Sequence, residues 1–81
     1  MANYFGLYRG IVSASNDPEM RGRAKVIVPA LGPDAFWAMP CVPYVSGSTA
    51  IDVPPADTEV WVAFEQGDPE LPVWMGVLQR Q

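Results

Sequence analysis

The sequence predicts an all-β fold, with five short strands curled into a small closed or partly closed barrel. Three observations point there. Nine Pro and 7 Gly are spread through 81 residues, so that no breaker-free window of about eleven residues carries a helical period. Short β-rich runs alternate with turn clusters along the whole chain. Five strands in so little sequence favour closure, because closing the sheet removes edges that would otherwise pair with other chains.

The first run is Leu7 to Ser15. Tyr8, Gly10, Val12 and Ala14 share one face, and Leu7, Arg9, Ile11 and Ser13 the other; the mid-strand Gly10 suggests a bulge or sharp bend. Asn16 to Gly22 then supplies turn chemistry: Asn and Asp bond nearby backbone, Pro presets φ, and Gly reaches positive φ. The second run, Arg23 to Val28, sets Ala24, Val26 and Val28 against Arg23, Lys25 and Ile27, and Pro29 ends it. Gly32-Pro33-Asp34 is the next turn. The third run, Phe36 to Tyr44, contains Pro40 and Pro43; proline donates nothing to a ladder, so this piece reads as an edge strand or irregular extended chain. Val45 to Ala50 reads as a loop of small residues, with Ile51-Asp52-Val53 a short pairing segment before Pro54-Pro55. Glu59 to Glu65 alternates, with Val60, Val62 and Phe64 together, and Gln66 to Glu70 turns the chain. Val73 to Leu78 follows as the partner of an antiparallel hairpin, with Val73, Met75 and Val77 expected inward and Trp74 and Leu78 outward.

An OB-fold is the commonest five-stranded solution at this size; a flat sandwich is the alternative, although the runs are too few for a seven-stranded one. One feature goes beyond the strand count. Ile11, Ile27, Trp61, Trp74 and Leu78 fall on faces opposite the expected core, where a solitary barrel would carry polar residues. Either a bulge returns some of them to the interior, or a second apolar surface is covered by another chain. With Tyr8, these residues are the candidate interface, and for Trp61 and Trp74 both core and contact stay open.

Composition narrows the chemistry. With no His and one Cys the chain has no Cys/His zinc set and no internal disulfide. No apolar run approaches the ~20 residues that span a bilayer, and the first ten residues lack the charged-then-apolar pattern of a signal peptide. The balance of 5 Lys+Arg against 9 Asp+Glu gives −4, which disfavours a general nucleic-acid binder. A chain this small buries only about 63% of its unfolded surface, so without metal or disulfide it is expected to lean on partners.

Two acid pairs, Asp17 with Glu19 and Asp68 with Glu70, have the residue types of a glycosidase. Their setting beside Pro and Gly reads instead as solvated turns, and no nucleophile–base pair supports catalysis. The same acids lack the spacing of an EF-hand calcium loop. No catalytic residue, cofactor or metal is expected. Arg9, Arg21, Arg23 and Lys25, with Tyr8, Trp61 and Trp74 as stacking platforms, have the ingredients of a single-strand-binding groove. The competing account has Arg23 and Lys25 paired across the sheet with Glu59 or Glu65. Cys41 reads as a buried small hydrophobe, Trp37 as packing, and Met39 and Met75 as core fillers.

Several stretches look familiar when read in order. Tyr8-Arg9-Gly10-Ile11-Val12, Asn16-Asp17-Pro18-Glu19 and Gly22 to Pro29 resemble the start of the OB-fold domain in phage baseplate spike proteins. Trp37 to Tyr44 is similar to that family's WAxPxxPYAG element, and Val53 to Glu65 to its PxxGDEVWVxFE strand. Gln66 to Gly76 is similar to its closing xGDPxxPVWLG hairpin. The resemblance is to the N-terminal OB domain shared by the tail-spike lysozyme, baseplate assembly protein V and VgrG-type spike proteins. It covers about 70 residues in register. Two departures stand out. Ala56-Asp57 lies where the family often has a Gly-Asp pair, so that turn is expected to differ. The family usually continues into a lysozyme domain or a β-helical needle, whereas this sequence ends at Gln81 and has no needle repeats.

The expectation is therefore one OB-fold domain over residues 1–81, with its core at about 7–79. The resemblance implies a structural, non-enzymatic component of a contractile tail baseplate or related injection system. It would be a collar or adaptor joining the tail hub to the central spike or needle protein. The family's threefold arrangement implies a homotrimer, which as a closed ring leaves no unsatisfied contact. The implied location is the virion tail, assembled in the host bacterial cytoplasm, with no membrane segment and no nucleic acid. The rival readings are a single-stranded nucleic-acid-binding OB module and a cell-wall glycan hydrolase.

Overall fold

The computed structural model describes residues 3–19, 21–42 and 53–78. Within them lie β1 (Tyr8–Ala14), β2 (Ala24–Ile27), β3 (Ala35–Cys41), β4 (Glu59–Phe64) and β5 (Pro72–Val77), with a single 3-10 turn at Glu65–Gly67 between β4 and β5. The strands close into a barrel in the order β1-β2-β3-β5-β4. All neighbours are antiparallel except β3 and β5, which run parallel and seal the ring. This is the five-stranded OB barrel that the strand count and the resemblance imply, and the flat sandwich is set aside.

Alternation decides what lies inside. Val12, Val26, Val28, Val60 and Val62 are fully buried, joined by Ala24, Ala38, Phe64 and Trp74. Each valine taken from water contributes about 1.5–3 kcal/mol, and the β-branched side chain suits the pleat. At one end of the barrel Phe64 meets Tyr4 and Tyr8 edge-on, with ring centroids 5.3 and 5.6 Å away, while Phe36 lies 6.0 Å away at a tilt. The N-terminal arm is tied down there by the Tyr4 amide, which donates to the Gly67 carbonyl at 2.9 Å.

Four expectations change. First, Trp74 is in the core, only 3% exposed, and its indole Nε1–H donates to the Gly22 carbonyl at 3.1 Å. The cause is register: Val62 pairs with Trp74 and Phe64 with Pro72, and cross-strand partners share a face. Val73 and Met75, paired with Ala63 and Trp61, therefore belong to the outer face, while Val77, beyond the irregularity at Gly76, pairs with buried Val60 and is itself 45% exposed. Second, β3 is not an edge, because it pairs with β2 through Ala38 and with β5 from Met39 onward. Pro40 comes after the last β2 pair, so its missing N–H takes nothing from that ladder. Third, the odd residues past Ala38 point outward. Met39 is 45% exposed and Cys41 is an exposed free thiol, so neither is core, and Met75 lies on the outer face with them. Fourth, the bulge in β1 falls between Val12 and Ala14 rather than at Gly10. Gly10 serves close approach instead: a Cβ there would lie 2.7 Å from Val62 Cγ2.

A second bulge lies opposite the Val60–Trp61 step, where Gly76 takes φ +51. In the turn before β4, Asp57 adopts φ 75 in the left-handed region. Its amide donates to the Val12 carbonyl at 2.8 Å, and the Val12 amide donates to the Thr58 carbonyl at 2.8 Å, stitching the turn to β1. The expected loop at Val45 to Ala50, Pro43 and most of the Ile51-Asp52-Val53 pairing segment lie outside the described residues.

Candidate protein-protein interface

The outer face of β1 organises the candidate surface. Arg9 and Ile11 both point away from the core. Arg9 sits opposite Trp61 on β4, with its guanidinium 5.7 Å from the indole centroid. Ile11 sits between Ile27 on β2 and Glu59 on β4 and is 37% exposed. The band continues through the register: Trp61 pairs with Met75, Ala63 with Val73, and Val73 with Met39. Apolar side chains thus run round the barrel wall from β2 to β3, crossed by Arg9 and Glu59. A hollow of about 180 Å³, lined by Arg9, Gly10, Ile11, Pro29 and Glu59, indents it.

Of the residues marked as interface candidates, the fold brings Ile11, Ile27 and Trp61 together on this wall. It does not bring Tyr8 or Trp74 there. Tyr8 is half-buried at the barrel end, edge-on to Tyr4 and Phe64, and Trp74 is core. Leu78, half-buried just past β5, donates its amide to the Glu59 carbonyl at 2.9 Å. Arg9, Met39, Val73 and Met75 were not among the candidates; the pairing that places Arg9 and Met75 beside Trp61, and Met39 beside Val73, is a property of register, for which the sequence carries no local signal.

The basic residues have a different use from the one expected. Arg23 does not reach across to Glu59 or Glu65. Its Nε donates to Asp17 Oδ2 and its Nη2 to Oδ1, both at 2.9 Å, and Nη2 lies 3.7 Å from Glu19. Asp17 also accepts the backbone amides of Glu19, Arg21 and Arg23. Its side chain is only 3% exposed. The Arg23 hydrogen bonds, followed by those from the backbone amides, outweigh burial and hold the Asp17 carboxyl far below the usual carboxylate range. That is the reverse of what a general acid needs. In the second acidic turn, Asp68 accepts the Glu70 amide at 2.9 Å, so both pairs build turns. Arg23 and Lys25 lie 5.2 and 5.8 Å from the centroid of the Trp37 ring, so both cations are engaged with an aromatic ring of the neighbouring strand. Among the described residues no three metal-ligating side chains gather, and no helix is long and apolar enough to cross a membrane.

Comparison with known proteins agrees with this architecture. A family model described as the type VI secretion system/phage-baseplate injector OB domain matches residues 8–78, from the first residue of β1 to the residue after β5. No curated protein matches the chain.

Proposed function

The chain belongs to the type VI secretion system/phage-baseplate injector OB domain family, and from that premise we propose that it acts as a collar or adaptor joining the tail hub to the central spike. A structural, baseplate-related role within a phage tail or secretion-system assembly comes with that membership. The finer reading rests on one observation: the outside of the closed barrel carries an apolar band, from Ile27 and Ile11 through Trp61 and Met75 to Met39, where a solitary barrel would be polar. Interface anchors favour Trp, Met and Arg, all present in the band.

In this reading three copies form a closed ring, since a heterologous contact repeated around a threefold axis leaves no open end. Residues 1–81 act as one module that couples hub and spike through buried area, without chemistry. The location is the tail baseplate, built in the host bacterial cytoplasm. Native mass spectrometry of the purified chain, alone and with the hub and spike proteins of its own source, tests this. The expected result is a trimer or a hub–spike complex that Trp61→Asp disrupts while circular dichroism still shows a folded barrel. A monomer at all concentrations that binds neither protein refutes it.

A further inference from the structure

The N-terminal arm, the β2–β3 turn and the β4–β5 connection meet at one end of the barrel and enclose a groove of about 220 Å³. Its walls include Tyr4, Leu31, Pro33, Phe36 and Phe64, with Asp34 at its lining. The volume is below the roughly 300–1,000 Å³ of a typical small-molecule site, and its scale is that of one long side chain. The closed barrel offers no strand edge there, so recognition by strand addition is not available.

Among the described residues the charge at this end is one-sided. Asp34, Glu65, Asp68 and Glu70 all lie on the two connections that frame the groove, and the segments 3–7, 28–36 and 64–72 contain no Lys or Arg. All four are exposed, and none has an ion-pair partner among the described residues. Arg9, Arg23 and Lys25 lie elsewhere, on the barrel wall and the β1–β2 turn, beside Trp61 or Trp37. Apolar and aromatic walls with an exposed aspartate, Asp34, among the lining residues suit a group with a greasy stem and a cationic head. Aromatic rings attract cations, and Lys and Arg bury their methylenes while the head seeks charge.

We propose that this groove receives a lysine or arginine side chain from a partner protein, with its stem against Leu31 and Pro33 and its head toward Asp34. The inference stands apart from the collar reading, because it concerns the barrel end rather than the wall and rests on the groove and its charge alone.

Amide-detected NMR on the full chain tests it, with capped Gly-Lys-Gly, Gly-Arg-Gly, Gly-norleucine-Gly and Gly-Glu-Gly as probes. The cationic tripeptides are expected to shift the amides of Gly32, Asp34 and Phe64, with saturation that weakens as salt rises. Norleucine, which keeps the stem and lacks the charge, is expected to bind about fivefold more weakly. Asp34→Asn, at an exposed site that leaves the fold intact, is expected to reduce the cationic peptides to the norleucine level. Equal shifts from norleucine and lysine peptides overturn the proposal. So do cation-induced shifts confined to residues outside the groove, or no shifts at all. Groove shifts that appear on concentrating the protein without any peptide assign the site to a second copy and also overturn it.

Discussion

Asp17 and Arg23 form a forked pair, guanidinium Nε and Nη2 each 2.9 Å from a different carboxylate oxygen. The same carboxylate accepts three backbone amides of the β1–β2 turn. One side chain therefore closes the turn and anchors the residue that enters β2. Bidentate geometry of this kind is specific to Arg. Arg23→Lys is expected to lower the thermal midpoint almost as much as Arg23→Ala, measured by circular dichroism.

The pair also sets an acid limit. The native Asp17 carboxyl titrates far below its usual value, first because of Arg23 and then because of the backbone amides. The unfolded chain takes up that proton near the ordinary value of about 3.9. The contribution is thus complete above about pH 5 and is lost as pH falls, since the unfolded state then binds the proton that the native state refuses. Denaturant melts from pH 6 downward are expected to show a steeper acid decline for the native sequence than for Asp17→Asn, with the two curves converging at low pH.

The two tryptophans of the β4–β5 hairpin are expected to separate cleanly. Trp74 fills the core and donates to the Gly22 carbonyl at 3.1 Å, so Trp74→Ala is expected to cost about 3–5 kcal/mol and Trp74→Phe noticeably less. Trp61 is half-buried on the outer wall, over Arg9. Trp61→Ala is expected to cost about 1 kcal/mol or less in the isolated chain. Urea melts of the three variants measure the contrast.

Gly10 faces Val62 at a separation that leaves no room for a methyl group, 2.7 Å from the position of a Cβ to Val62 Cγ2. Gly10→Ala is expected to destabilise by about 1–3 kcal/mol through overpacking. Val62→Ala opens space at the same point, so the double variant is expected to be more stable than the sum of the single losses implies. A double-mutant cycle by urea melts reads that coupling.

Asp57 holds a left-handed backbone conformation, φ 75, where Asp is tolerated and β-branched residues are strained. Asp57→Gly is expected to keep or raise the thermal midpoint, and Asp57→Val to cost about 1–2 kcal/mol, as read by differential scanning calorimetry.

How far the sequence can be read depends on how many faces of a strand are apolar. In β2, in Val28 just after it, and in β4 the alternation sets one phase, and Ala24, Val26, Val28, Val60, Val62 and Phe64 are buried as expected. In β5 both faces are apolar, so alternation gives two equivalent phases; only pairing with Val62 turns Trp74 inward. The same ambiguity hides Met39 and Cys41, whose outward direction follows from Ala38 facing the core. The basic cluster was legible as charge but not as geometry. Arg23 finds its acid six residues back in the chain because the turn folds onto Asp17, and nothing in a strand pattern encodes that. Of the candidate wall, Ile11, Ile27 and Trp61 were visible as misplaced hydrophobes. Arg9 and Met75 join them only through register.

The parallel contact of β3 with β5 leaves every strand flanked by two others. No strand can peel off singly, since releasing any one breaks two ladders at once. A push along the barrel axis is therefore shared among all five ladders, and the ring should hold its shape until it yields as a whole. In the proposed collar, that response would suit a part loaded between two others.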